Sequence, residues 1–401
     1  MKQSIVITKS AVLSALGIGY EAFGQGLQAS EHRLKKVTLF DEEIHGGEVW
    51  DFAPKEILGR KGLRTLDRNT LLVLASIQKD LAETIEAIGP EKFGLTIGTT
   101  FGSFTSLADF TALYLTEGFK SLNPMHFPNL VINSPPSQGN NRFGLTRSST
   151  TISNGFGSGL DAVIFSADQI RSGYEEVMLA GGSEELSYHI CVGYETNEMV
   201  SKSHSMAPFD KDSDGFLLGE GTALFIMETA AHAAARDAQP LAEIVSYHTC
   251  FDGTAEQPIS PDAEGATYVI KQTLEEAGVS PSEIGFIASS ANGYPAADRH
   301  EAQALSQAFG DALSSIPVVA HKAYFGECLA ASSALQLAAA VHDLSTQQVS
   351  ATPSVHNVTE DFPLWVPQQP LKRESQYALV LSCGMTGNHS AMLLKASTKD
   401  A

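Results

Sequence analysis

Ser153-Asn154-Gly155-Phe156-Gly157-Ser158-Gly159 reads as a glycine-rich elbow that carries the chain from a strand into a helix. Glycine tolerates the backbone angles and close approach that so tight a turn needs. Such an elbow lifts its central side chain into a pocket at the helix N-terminus. Unpaired N–H groups and the helix dipole there lower the pKa of a cysteine and stabilise an oxyanion. The central residue here is Phe156, which neither forms an acyl bond nor transfers a proton. Ser158, two residues on, is expected to point elsewhere. As a bare pattern the turn also fits a plain structural loop.

Working outward, the layout recurs. A strand enters the elbow, a helix follows over residues 159–172, and a strand follows at 176–181. Later a strand over 316–320 enters the turn His321-Lys322-Ala323-Tyr324-Phe325-Gly326-Glu327 and a helix runs over 329–344. A duplicated α/β unit explains this. Further strands are predicted at residues 93–99, 221–227, 284–290 and 377–382, and at the N-terminus over 1–8. Further helices are predicted over 66–88, 266–277 and 299–309. In the first of these, Leu71, Leu72, Leu74, Ala75, Ile77, Leu81 and Ile85 form an apolar stripe at helical spacing. Val- and Ile-rich runs alternating with helices predict a mostly parallel sheet covered by helices. Two similar halves are expected, 1–235 and 236–401, meeting at an Ala- and Arg-rich stretch that reads as helix.

Composition narrows the class. The chain of 401 residues is 43% hydrophobic and 18% charged, a globular balance with ample core. Cys191, Cys250, Cys328 and Cys383 are far apart, which argues against a disulfide framework and a structural zinc site and for a reducing cytoplasm. No metal and no cofactor is expected. The N-terminal apolar run is too short for a signal peptide, and no window approaches the roughly 20 apolar residues of a membrane span. A net charge of −20 disfavours nucleic acid and anionic membranes as partners. Solubility alone also accounts for that charge.

Ala207-Pro208-Phe209-Asp210-Lys211-Asp212-Ser213-Asp214-Gly215-Phe216-Leu217-Leu218-Gly219-Glu220-Gly221 resembles a signature of β-ketoacyl-carrier-protein synthases, the condensing enzymes of the thiolase fold. Leu179-Ala180-Gly181-Gly182-Ser183-Glu184 resembles the strand preceding it in that family, and Pro295-Ala296-Ala297-Asp298-Arg299-His300-Glu301-Ala302 resembles its Pro-x-x-Asp-x-x-Glu-Ala. Lys322 matches the lysine that opens the motif of the second histidine. The matches keep their order over almost the whole chain. The resemblance implies a five-layered α-β-α-β-α fold made of two similar halves, and an obligate dimer.

Departures from the family bear on function. The resemblance implies a nucleophilic cysteine where this chain has Phe156, and histidines where it has Asn292 and Glu327. In the family the cysteine takes the acyl chain and the histidines assist malonyl decarboxylation and stabilise developing charge. Asn292 keeps a hydrogen-bond donor; Glu327, unless paired with Lys322, would repel that charge. The chain therefore resembles the chain-length factors of type II polyketide systems, which lack the cysteine and pair with an active ketosynthase as a heterodimer. Ser158-Gly159-Leu160-Asp161-Ala162 resembles their Gly-Gly-Leu-Asp-Ala. Many of them carry glutamine where Phe156 stands, so the resemblance favours the related subunits of aryl polyene systems over the aromatic subgroup.

In such subunits a helix after a Gly-Thr strand end closes the partner's acyl tunnel. The matching stretch here follows Gly98-Thr99, with Phe104, Leu107 and Thr111 (or Phe110) spaced for one helix face. Ordinary interface packing accounts for the same pattern. Phe127, in Pro124-Met125-His126-Phe127-Pro128, matches a loop at the dimer interface. His126, His300 and His389 read as structural or surface residues, and Cys328 as a buried small residue. The acyl carrier protein is expected to dock mainly on the partner. The competing expectation is a condensing or acyl-transfer enzyme using Ser158, Cys328 or Cys383, and a second is a homodimeric binding protein.

Overall fold

The computed structural model describes residues 3–30, 33–253 and 259–397. The first two residues of the N-terminal strand expectation lie outside this set. Ten strands matter for the site: β1 (Ile5–Ser14), β2 (Phe93–Gly98), β3 (Ser149–Ile152), β4 (Val177–Glu184), β5 (Gly221–Thr229), β6 (Ala242–Phe251), β7 (Ile284–Ala288), β8 (Val318–Val319), β9 (Tyr377–Cys383) and β10 (Asn388–Ala396). Their order is β3-β2-β4-β5-β1 in the first half and β8-β7-β9-β10-β6 in the second. Numbered within each half, both read 3-2-4-5-1. The two half-sheets meet where β1 pairs antiparallel with β6 through Ile5 and Ile244, Val6 and Glu243, and Ile7 and Ala242.

The expectation of a mostly parallel sheet is corrected. β2 runs parallel to β3 and β4, and β7 to β8 and β9. The contacts of β5, β1, β10 and β6 are antiparallel. Apolar runs misled here because β1 and β5 are covered on both faces; β5 is buried from Gly221 to Glu228. Continuous burial erases the alternation that marks an ordinary antiparallel strand.

Alternate strand residues feed different cores. Met178, Ala180, Phe225 and Met227 point into a central layer, while Val177, Leu179, Leu224 and Ile226 point outward with Val73, Ile77 and Ile85. In the second half, Ala378, Val380, Met392 and Leu394 join the central layer, and Leu379, Leu381, Ala391 and Leu393 pack outward with Val269, Ile270 and Leu305. The central layer holds helices Ser158–Arg171 and Ala330–Thr346, the latter buried along nearly its whole length. Outer helices thus sandwich two half-sheets around a helical middle, giving five layers.

The helix expected over 66–88 forms with an interruption: Arg68–Ser76, a π-turn Ile77–Leu81, then Ala82–Ile88. At the π-turn the Asp80 carboxylate accepts the N–H of Tyr20 at 3.0 Å and of Val12 at 3.4 Å, pinning this helix to β1. The stretch between the halves does contain a helix, Ala230–Ala235. No helix among the described residues is long and apolar enough to cross a membrane.

Candidate functional site

Gly155 takes φ 102°, a left-handed conformation that favours glycine, and turns the chain from β3 into helix Ser158–Arg171. A Cβ at Gly159 would lie 2.4 Å from the Ala330 carbonyl oxygen, so glycine lets the two central helices meet N-terminus to N-terminus. Ser333 Oγ then accepts the Leu160 N–H at 3.0 Å. The elbow is braced from below by Asp161, which accepts from Asn154 Nδ2 at 2.5 Å and from Ser390 Oγ at 2.5 Å.

Phe156 is half-buried and edges onto Tyr194, with ring centroids 6.1 Å apart; Tyr194 in turn edges onto the buried Phe216 at 5.5 Å. The side chain at the elbow thus belongs to an apolar cluster with Leu218, Leu329 and Met385. Ser158 is fully buried; its Oγ accepts the Asn154 N–H at 3.0 Å and lies 2.5 Å from the Gly155 carbonyl oxygen. It caps the turn and faces no open space.

Asn292 and Glu327 come together. Asn292 Nδ2 donates to Glu327 Oε2 at 2.9 Å, and Lys322 Nζ donates to the same oxygen at 2.8 Å. Glu327 Oε1 accepts the Leu329 N–H at 3.0 Å and Ser332 Oγ–H at 2.7 Å. The carboxylate is fully buried, Lys322 is 4% exposed, and every bond Glu327 accepts is spent inside the protein. Leu329 stands at φ 51°, a costly angle for a branched residue, and its bond to Glu327 holds that turn. This knot is structural in character: it binds the entry to helix Ala330–Thr346 to the end of β7.

Buried carboxylates support this floor. Asp298 accepts the N–H groups of Asn292 at 2.9 Å and Phe209 at 2.8 Å, and burial pushes its pKa up to about 7. Glu301 accepts Ser290 N–H at 3.0 Å and Ser290 Oγ–H at 2.6 Å. Both belong to the Pro-x-x-Asp-x-x-Glu-Ala stretch, whose pattern marked them without showing what they hold. Burial raises the thiols of Cys328 and Cys383 well above the ordinary range, reinforced by Glu327 and by Glu301 respectively. It pushes Cys191 up to about 12 and raises Cys250 as well. None of the four is disposed to be a thiolate near neutral pH. His300 and His389 stack at 5.2 Å, both buried, and burial followed by the neighbouring His300 lowers His389 to about 4.

The predicted gate forms helix Phe104–Glu117, in which no residue is buried. Phe104 is half-buried, with Phe101 5.7 Å and His189 6.3 Å away across their rings. Leu107 and Thr111 are exposed and Phe110 is half-buried. The apolar surface continues through Leu115 (76% exposed), Phe119 (79%) and Phe127 (61%) and on to Val131 and Ile132. Patches of this extent mark interaction surfaces. His126 lies on it, exposed.

Residues 2–233 match the family model of the β-ketoacyl synthase N-terminal domain, and residues 241–356 that of the β-ketoacyl synthase C-terminal domain. The chain is 27% identical over 411 residues to 3-oxoacyl-[acyl-carrier-protein] synthase 2 of Synechocystis sp., covering 98% of each chain. Among solved structures it is similar to the ishigamide ketosynthase/chain length factor, with TM-score 0.93, 25% identity, and 99% of this chain and 100% of that one covered. It also shares the fold of a type II polyketide synthase ketosynthase solved in complex with its acyl-carrier protein, at TM-score 0.88 and 22% identity over 99% of this chain and 100% of that one.

Proposed function

The chain belongs to the β-ketoacyl synthase family and has its five-layered thiolase-like fold, and from that premise we propose that it is a non-catalytic ketosynthase-like subunit, a chain-length factor. It pairs with an active β-ketoacyl-carrier-protein synthase as a heterodimer and bounds that partner's acyl tunnel in a type II polyketide system. A polyene-forming system of the aryl polyene kind is the setting its resemblances favour. One observation carries the reading: the elbow presents Phe156, while the carboxylate at its second flank is tied by four internal donors. Phe156 supplies no nucleophile, and the tied Glu327 carboxylate is no free proton carrier. The atypical-nucleophile reading loses support because Ser158 is consumed as a cap and the thiols are raised by burial.

The carrier protein docks mainly on the partner, since carrier proteins are acidic and this chain carries −20. Its own contribution is a local basic turn, where Lys55, Arg60, Lys61 and Arg64 are all exposed. Co-expression with ketosynthases from the same genome, followed by a radiolabelled acyl-carrier thioester, tests the assignment. A stable heterodimer should form and only the partner should take label. Reversing the four charges should slow labelling without moving it. Label on this chain would overturn the proposal.

The gate assignment has its own test. Helix Phe104–Glu117 fully buries none of its side chains in this chain, which leaves its outer face for a partner to cover. Phe104→Ala and Leu107→Ala each remove large apolar volume there and should lengthen the product. Unchanged length in both, with intact heterodimers, would sink the gate.

A further inference from the structure

A helix with no buried residue needs something other than packing to hold it, and helix Phe104–Glu117 also lacks a side-chain cap of its own. Ser103, at its N-cap, is buried with its hydroxyl unpartnered. The first N–H groups of a helix require acceptors from elsewhere. Two carboxylates at the end of β4, about eighty positions away in sequence, bond the loop that leads into the helix and one N–H of its first turn. Glu184 Oε2 accepts the Thr100 N–H at 2.5 Å, and Oε1 accepts the Phe101 N–H at 3.0 Å. Glu185 Oε1 accepts the Thr105 N–H at 2.9 Å, in the helix's first turn, and Oε2 accepts the Asn69 N–H at 3.3 Å. Both carboxylates are buried, at 1% and 6% exposure.

Resting on the chain-length reading above, we propose that Glu184 and Glu185 are positioning residues: a paired carboxylate clamp that fixes the base of the gate helix and thereby sets where the partner's tunnel ends. The surroundings make the clamp stiff. Asn69, which donates to Glu185, also accepts from Ser183 Oγ at 2.5 Å and reaches the Gly102 carbonyl oxygen at 3.4 Å. Thr99 Oγ1 accepts the Gly102 N–H at 3.0 Å and lies 3.3 Å from Glu184. Thr100 ties the network to the start of helix Ala330–Thr346, its hydroxyl accepting the Ala330 N–H at 3.1 Å. Arg68 nearby is bonded by Glu220 at 2.5 and 2.7 Å, so the hydrogen bonds of the clamp come from N–H donors, with the Arg68 charge acting on Glu185 from beyond bonding distance. Burial pushes both carboxyls up to about 7, against the pull of the N–H groups they accept, and of the two only Glu185 sits at the positive end of the helix dipole, on the Thr105 N–H.

The test uses the full-length heterodimer carrying Glu184→Ala, Glu185→Ala or Glu185→Gln, read by amide hydrogen exchange and by product length. In the alanine variants exchange at the N–H groups each carboxyl accepts, Thr100 and Phe101 for Glu184 and Thr105 for Glu185, should rise up to about tenfold, as expected for loss of a buried hydrogen bond. Over-length product should rise with it. Glu185→Gln keeps an amide oxygen for Thr105 and should restore most of the protection, a rescue that a general packing defect would not show. Wild-type exchange and wild-type length in Glu185→Ala, with the heterodimer intact, overturn the clamp. Should an alanine variant fail to fold, Glu185→Gln with exchange faster throughout the chain, and not confined to residues 99–117, overturns it too. The two readings separate cleanly. If Phe104→Ala and Leu107→Ala lengthen the product while the glutamate variants do nothing, the gate stands and the clamp falls. Faster local exchange with unchanged length in every variant overturns the gate and the clamp's role in length alike.

Discussion

Lys322→Met should destabilise this chain by about 3–5 kcal/mol, because it leaves one charge of a buried ion pair without its partner. Glu327 is fully buried and Lys322 almost so, with 2.8 Å between Nζ and Oε2. Asn292, Leu329 and Ser332 still donate to the carboxylate in the variant, but none of them neutralises it. The urea midpoint of the purified chain reads the loss. Adding Glu327→Gln to the variant should recover a good part of it, since a neutral amide no longer needs a counter-charge; the coupling between the two positions is the quantity a double-mutant cycle isolates. A loss below about 1 kcal/mol for Lys322→Met, the range of exposed ion pairs, would show that water reaches the pair and that the knot is not structural.

Phe119→Asp combined with Phe127→Asp should abolish the heterodimer while leaving the subunit folded. Both side chains are largely exposed in the single chain, at 79% and 61%, so each substitution should change its own stability by no more than about 0.5 kcal/mol. In a heterodimer the same carboxylates would be buried against an apolar partner surface. Large aromatic residues at the centre of an interface each contribute about 2 kcal/mol or more, so the pair should weaken binding by about a thousandfold. Analytical ultracentrifugation of the co-expressed pair, with circular dichroism of the variant alone, measures both halves of this expectation. Heterodimer surviving at micromolar concentration would place the interface elsewhere. A chain that forms a stable homodimer and ignores every candidate ketosynthase would overturn the heterodimer itself.

Much of the architecture was legible in particular segments. The elbow helix, expected over 159–172, runs Ser158–Arg171, and the strand expected over 377–382 runs Tyr377–Cys383. The duplicated strand-turn-helix layout anticipated the matching 3-2-4-5-1 order of the two half-sheets. Other elements were not legible. β6 and β10 went unread because polar residues punctuate them: Glu243, Ser246 and His248 in one, His389, Ser390 and Lys395 in the other. Strand direction was misread because burial on both faces looks the same in parallel and antiparallel strands.

The residues at the elbow and at the ends of the two later strands could be named from sequence because a turn's chemistry is local: Phe156 stands between Gly155 and Gly157 whatever the rest of the chain does. The same holds for the family signature, the wide spacing of the cysteines and the apolar helical face from Phe104 onward. Tertiary structure alone decided what those residues meet. It brought Asn292 onto Glu327 across thirty-five positions and Glu185 onto Thr105 across eighty. Hydrogen bonds and charge compensation act over about 3 Å, a distance that sequence separation does not encode and only packing can set.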